Sequence, residues 1–390
     1  MKRISEHKEK KKISLASVSK RAAVVIGCVL ALIIILGGVL VGAFFALRAS
    51  GRHSMRDRRE EQNTVNSDID YDPGVVLHKG KKYRYNENVT SIMFVGIDIG
   101  EKQETFNSLL QYEAELRAAK NGTDVKYELQ KYKEELVASG QSLKVSEGGG
   151  QADVILLVAV DEEKNRASVI SVDRNSMSSY EVFDRDGNSV GFTESQLALS
   201  FFYGDGEHKS CEMTKNALSE FLCDIPIHAY YSMKTDAIAV VNDAVGGVEV
   251  TVPCDMTAAN EAFTNGKRIK LRGDMAKDFL RARQGVGDGS NAERVKRQEQ
   301  YIRAFVSTAL EAVKKDLGLP KKLFEAIADN SFTDLGVDEA VYLADLALRL
   351  DISYRSIAGE AQMGDVFEEF NADKEALLEL VLDIFYICED

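Results

Sequence analysis

Tryptophan is absent from the 390 residues, and proline (4), cysteine (5) and histidine (5) are scarce. The shortage of histidine bounds the chemistry. His7 lies in a basic N-terminal tail, and His53 and His78 fall in a polar stretch further on, which leaves His208 and His228 for a zinc centre or a Ser-His-Asp triad. Gly-x-Ser-x-Gly, His-Glu-x-x-His and the Walker loop are all missing, which argues against a protein nucleophile, a zinc hydrolase and a P-loop NTPase. Cys28 sits in an apolar run, and the spacings of Cys211, Cys223, Cys254 and Cys388 match no zinc site. These four allow three disulfide pairings, and Cys223 and Cys254 could equally be buried free thiols. Positive charge is also short. Residues 22–390 hold 41 Lys and Arg against 60 Asp and Glu, a net of −19. Such a surface repels polyanions, so no nucleic-acid partner is expected, and a phosphate site would have to be local and metal-assisted.

What is present begins with a basic tail. Residues 1–21 carry eight Lys and Arg against two Glu. Ala22 to Leu47 then run without a charge, longer than the roughly 20 residues a bilayer core needs. A cleaved signal peptide has a shorter apolar segment and a small-x-small site, for which FALRAS is a poor match. The run therefore reads as one transmembrane helix. Eight cationic residues before it outweigh Arg48, Arg52, Arg56, Arg58 and Arg59 after it, which places the N-terminus in the cytoplasm and the C-terminal domain outside the cell membrane. Residues 48–85 show no hydrophobic periodicity and read as a linker.

Beyond it, Ser91–Asp98 and Asp153–Asp161 are almost continuously apolar, as strands buried on both faces are. Ala167–Arg174 follows after a turn, as in a hairpin. The insertion between the first two strands, residues 101–150, carries two surface helices, near 105–120 and 125–139. Helices are expected at Cys211–Cys223, Asp236–Ala244 and 292–316, a strand after Gly246-Gly247, and mostly helix over 321–388. Strands interleaved with helices predict an α/β fold, an α-β-α sandwich around a central mixed sheet.

Against the acidic background, Arg281-Ala-Arg283 and Arg294-Val-Lys-Arg297-Gln298 gather four arginines and a lysine. Guanidinium forks match phosphate geometry. In extended chain Arg281 and Arg283 share a face, and on a helix Arg294 and Gln298 stand one turn apart. A solvated basic patch pairing with nearby acids is the plainer alternative. Asp98 ends the first strand and Asp153 begins the second. Two carboxylates converging at a sheet edge suit Mg²⁺, although either alone could simply cap a turn. Arg174 ends the third strand and adds a cation to the same neighbourhood.

The ordered series Phe94-Val-Gly-Ile-Asp98, Ala152-Asp153-Val-Ile-Leu156, Ile170-Ser-Val-Asp-Arg174, Asp243-Ala-Val-Gly-Gly-Val-Glu-Val250, Leu280-Arg-Ala-Arg283 and Arg294-Val-Lys-Arg-Gln298 resembles the LytR–CpsA–Psr family of cell-envelope proteins. The resemblance covers about 85 to 310 and implies a catalytic domain over 86–310, with 311–390 as a helical C-terminal extension packed on it. It implies a Mg²⁺-dependent phosphotransferase that moves a glycopolymer of teichoic-acid or capsule type from an undecaprenyl-diphosphate carrier to peptidoglycan. By family motif, Asp98 and Asp153 would be the magnesium-binding acids, and Arg174, Arg281, Arg283, Arg294 and Gln298 would surround the diphosphate, with Arg297 as a helper. Three positions depart from the pattern. Gln151 stands where the family usually has Arg, Asp173-Arg174-Asn175 replaces Pro-Arg-Asp, and Asn291 replaces an Asp. A non-catalytic protein that binds wall polymer or lipid carrier is the alternative role.

Overall fold

A computed structural model describes residues 42–63, 74–98, 102–138, 150–183, 189–282, 285–289, 291–364 and 368–389. Helix α1 covers residues 42–63, followed by strands β1 (Val75–His78), β2 (Lys81–Tyr85) and β3 (Val89–Asp98). Two helices, α2 (Lys102–Asn121) and α3 (Val125–Ala138), precede β4 (Gln151–Asp161), β5 (Arg166–Val172), β6 (Met177–Phe183) and β7 (Ser189–Gln196). Then come α4 (Leu197–Ser200), α5 (His208–Phe221), β8 (Ala229–Lys234), α6 (Ala237–Ala244), β9 (Val248–Thr251), β10 (Arg268–Leu271), α7 (Asp274–Arg281) and α8 (Asn291–Lys315). The C-terminal part holds α9 (Leu319–Ala326), β11 (Ser331–Thr333), α10 (Val337–Ala347), β12 (Asp351–Ser356), β13 (Gly359–Met363), β14 (Glu368–Ala372), α11 (Lys374–Phe385) and β15 (Tyr386–Glu389).

Six strands form the central sheet, in the order β11-β8-β3-β4-β5-β12. It is mixed: β8 runs parallel to β3 and β12 to β5, whereas β4 is antiparallel to both its neighbours. The continuous apolar character of β3 and β4 has the expected cause, since both faces are covered. Met93, Val95 and Ile97 pack into one cluster with Ile155, Leu157, Phe201, Leu218 and Phe385. On the other face Ile92 joins Val160, Ala229, Met55, Tyr342 and Leu346. Each large side chain so buried contributes about 2 kcal/mol. A third cluster, with Phe263, Phe279 and Tyr301, binds β9 and β10 to α7 and α8.

Two expectations need correction. Residues 48–85 are not an irregular linker: they continue α1 to residue 63 and form β1 and β2, and β2 pairs with β15. The extension over 311–390 is only partly helical. It supplies both edge strands of the central sheet, β11 and β12. The predicted membrane span lies outside the described residues except for 42–47, and among the described residues no helix is long and apolar enough to cross a membrane.

Helix α1 lacks an apolar stripe because it docks through charge. Arg48 pairs with Asp345 at 2.7 Å, and Arg58 with Asp334 at 2.9 Å and with the buried Glu339 at 3.3 Å. A close backbone approach completes the contact: a Cβ at Gly51 would stand 2.1 Å from the Asp338 carbonyl oxygen. Backbone cannot swing away as a side chain can. Gly51→Ala is therefore expected to push α1 off α10 and destabilise the chain by about 2 kcal/mol, lowering the thermal midpoint by several degrees. A circular-dichroism melt of the detergent-purified chain measures this, and an unchanged midpoint would contradict the docked helix.

Candidate functional site

The strand directions bring the C-terminal ends of β8, β3, β5 and β12 and the N-terminal end of β4 to one edge of the sheet. Such an edge is where α/β sheets collect ligands. Asp98 closes β3 opposite Gln151. Between them the register slips: Gly96 pairs with Val154 and Ile97 with Ala152, so Asp153 is the extra residue of a β-bulge. A bulge re-aims the side chain it carries. The Asp153 carboxylate meets the Arg174 guanidinium in an ion pair through Oδ1 and Nη1. Both side chains are about four-fifths buried, with 21% and 18% exposure.

Arg174 is held by a tight turn. The Ser176 N–H donates to the Asp173 carbonyl at 3.0 Å, and the Asn175 N–H to Asp173 Oδ1 at 2.8 Å. Asp at the first position of a β-turn favours this geometry, which accounts for Asp173. The Ala198 N–H, in α4, donates to the Arg174 carbonyl at 2.9 Å. Around this turn Arg174 Nε, Ser176 Oγ and Ser195 Oγ are buried without a hydrogen-bond partner. Orphaned buried polar atoms are costly, so water or a polar ligand is the expected partner for each of these three.

The second cationic group arrives from α7. Lys277 and Arg281 stand one turn apart, and Lys277 pairs with Asp236, two residues beyond β8. The bond from Lys277 holds the Asp236 carboxyl below its usual range, with the Arg281 and Lys234 charges adding to it. Arg281 thus reaches the edge at β8 while Arg174 reaches it at β5. Three strand spacings, roughly 14 Å, separate those strands, a gap that two long arginines can narrow from either side. On α8, Arg294 is 9% exposed and Gln298 half-buried, one turn apart. Arg283 lies outside the described residues, as do the side chains of Asp98 and Asn291.

Arg297 is a correction. The resemblance implies a helper at the diphosphate, but Arg297 is 3% exposed and turned inward. Its Nε donates to the Phe279 carbonyl at 2.6 Å, and its Nη2 donates to the Ala282 carbonyl. It satisfies carbonyls at the C-terminal end of α7 that the helix leaves unpaired, and so fixes where Arg281 emerges. Asn242 does the corresponding task at the other end. Fully buried, it donates to the Leu271 carbonyl at 2.9 Å, while Asp243 accepts from the Gly273 N–H at 2.9 Å, just before α7.

Other chemistry recedes. Ser91 Oγ lies 2.9 Å from His228 Nδ1, but both residues are fully buried. Burial pushes the His228 pKa down to about 3, so the ring is a neutral structural acceptor. His78, Glu375 and Glu379 could jointly touch a cation, but Lys79 already bridges both glutamates. Among the described residues Cys211, Cys223, Cys254 and Cys388 form no disulfide. A polar cavity of about 760 Å³ lies between α1 and α5, against Pro226 and Ile227, at the opposite end of β8 from Arg281. Sequence reasoning missed Glu368: its Oε2 accepts from Asn175 Nδ2 at 3.3 Å, and no motif announced it.

Comparison with known proteins agrees with this architecture. Residues 52–381 match the LytR_cpsA_psr family. A polyisoprenyl-teichoic acid–peptidoglycan teichoic acid transferase TagU from Enterococcus faecalis is 24% identical over 213 residues, 55% of this chain and 62% of that one. Biofilm regulatory protein A from Streptococcus mutans is 26% identical over 216 residues, 52% of this chain and 49% of its own length. The chain thus spans about half to three-fifths of such relatives. Among solved structures, a Streptococcus agalactiae protein superposes with a TM-score of 0.55 at 18% identity, covering 76% of this chain and 86% of that one. Bacillus subtilis TagV gives 0.51 at 18% identity, covering 76% and 96%. At these identities the likeness establishes the fold.

Proposed function

This chain belongs to the LytR_cpsA_psr family, and from that premise we propose that it transfers a phosphate-linked glycopolymer from an undecaprenyl-diphosphate carrier to a hydroxyl of peptidoglycan. The observation that carries the reading is Arg174, paired with Asp153 at the sheet edge that Arg281 approaches from α7. Phosphoryl transfer demands positioning and charge neutralisation more than covalent catalysis, and the described residues of the site offer cations for both. Arg174 and Arg281, with Arg283, Arg294 and Gln298, would bind the diphosphate oxygens. The acceptor oxygen then bonds to the phosphorus that carries the polymer. The bond from that phosphorus to the bridging oxygen breaks, and lipid phosphate leaves with the electron pair against the arginines.

The donor set fits Mg²⁺. Among the described residues Arg174 engages Asp153 through Oδ1, which leaves Oδ2 for a hard cation, and Asp98 ends the neighbouring strand. Bound there, the ion would neutralise charge on the diphosphate. The apolar run at 22–47 supports an anchor that keeps the domain beside its lipid donor, with the domain on the outer face of the membrane.

The test uses the full chain in liposomes with an undecaprenyl-diphosphate-linked glycan, peptidoglycan and Mg²⁺. Covalent glycan on the peptidoglycan is the expected result. Donor binding without transfer or diphosphate cleavage would overturn the enzyme reading. It would favour a carrier-binding protein of the envelope, a role to which the missing cation at Gln151 and missing acid at Asn291 also point.

A further inference from the structure

The acceptor hydroxyl must lose a proton during transfer, and two of the acids near the strand ends are already engaged. Asp153 is bound to Arg174, and Asp173 spends Oδ1 on the turn. Asn175, which stands where the resemblance leads one to expect an acid, cannot accept a proton at all. A carboxylate reaches the same turn from far along the chain. The β13–β14 hairpin is fastened there by the Phe370 N–H, which donates to the Asn175 carbonyl at 2.9 Å, and by Gln196 Nε2, which donates to the Glu368 carbonyl at 2.9 Å. Asn175, 6% exposed, then donates through Nδ2 to Glu368 Oε2 at 3.3 Å.

Glu368 is half-buried and forms no salt bridge among the described residues. The charged groups on the elements around it are Asp173 and Arg174 on the turn, Glu181 on β6, Glu194 on β7, Glu360 on β13 and Glu369 on its own strand. Arg174 is the one cation in that set, and it is committed to Asp153. A carboxylate whose one side-chain partner among the described residues is neutral, and which lies one residue from the proposed phosphate-binding arginine, has the attributes of a general base.

We propose that Glu368 accepts the proton of the acceptor hydroxyl, with Asn175 orienting it; this rests on the transfer reading above. The acceptor O–H bond breaks and its proton passes to the free oxygen of Glu368. The acceptor oxygen bonds to phosphorus as the bridging P–O bond opens, and lipid phosphate departs. The C-terminal hairpin thereby supplies a carboxylate beside Asn175, the position where the resemblance leads one to expect an acid.

Glu368→Gln is the decisive variant, because its amide oxygen still accepts from Asn175 and only the basicity is lost. In the liposome assay, kcat is expected to fall at least 10²-fold, within the range general bases supply, with the donor KM within about twofold. The pH–rate profile should lose its acid limb. Adding Asn175→Asp to Glu368→Gln returns a carboxylate to the neighbouring position and should recover at least tenfold over the single variant. A Glu368→Gln rate within threefold of wild type, or one that keeps the acid limb, would overturn the assignment. So would an active Glu368→Gln beside an inactive Glu368→Ala, which would show that the hairpin needs only a hydrogen-bond acceptor there. Wild-type protein that binds donor but never turns it over would remove the transfer reading itself, and this assignment with it.

Discussion

Arg174→Ala is expected to reduce glycopolymer transfer at least 10³-fold while the chain still folds. Deleting one preorganised donor to a developing anion typically costs 10²–10³ in rate, and arginines that stabilise transferring phosphoryl groups are worth 10³–10⁵. Arg174 combines both properties. It carries full charge, and its Nε is buried with no protein partner, so part of its hydrogen-bonding capacity is held for something else. Its removal also leaves Asp153 four-fifths buried beside no cation. A fully buried pair would lose 3–5 kcal/mol on such a change, but the partial exposure here screens the charge and reduces the cost to about 1–2 kcal/mol. Arg174→Lys should restore little, because an ammonium keeps charge but not the fork. Arg174→Ala with Asp153→Asn removes the stranded charge and should regain the stability without regaining the rate. Transfer measured per folded molecule separates the two effects. A rate within tenfold of wild type would sink the phosphate role of Arg174.

The residues in this prediction were legible in the sequence because strands β3, β4 and β5 are buried on both faces. Their unbroken apolar runs announce strands, and the polar residues that end the runs, Asp98, Asp153 and Arg174, must then lie at strand ends. That these ends share one edge follows from the hairpin connection of β4 to β5 and the insertion joining β3 to β4. The bulge at Asp153 was not legible, since one extra residue leaves the hydrophobic pattern nearly unchanged. Helix α1 was hidden for the opposite reason. Beyond Leu47 it buries Gly51 and Met55 and otherwise docks through Arg48, Ser54 and Arg58, and Met55 as a single large apolar residue cannot show a period of 3.6. Strands β11 and β12 are short edge strands lying between Leu- and Ala-rich helices, whose periodicity dominates any reading of 321–388. Glu368 is the extreme case. It lies 193 residues from Asn175, and only the fold brings the two together.

Arg297→Ala should give the reverse signature from substitution of an exposed phosphate ligand, and this contrast separates two arginines that the sequence presents alike. Arg281 is exposed at the end of α7; its loss should raise the donor KM with hardly any change in stability. Arg297 is 3% exposed and gives two hydrogen bonds to carbonyls at the C-terminal end of α7. Burial lowers its pKa, though the neighbouring Cys254 and Glu293 oppose that. Hydrogen bonds from a charged group contribute about 1.5–3 kcal/mol each, and truncation leaves two acceptors unpaired beside the fully buried Phe279. A loss of about 3 kcal/mol is the modest expectation, since broken buried networks of this kind lie in the upper part of single-mutant effects. Transfer should fall about 10²-fold with a raised donor KM, because a displacement of roughly 1 Å at a positioning element can cost that much. Arg297→Lys offers donors on one nitrogen and cannot span both the Phe279 and Ala282 carbonyls with the same geometry, so it should recover charge but only part of the stability. Thermal melts and donor titrations on Arg281→Ala, Arg297→Ala and Arg297→Lys test the set. Arg297→Ala melting with the wild type while losing donor affinity would show that Arg297 touches the diphosphate after all.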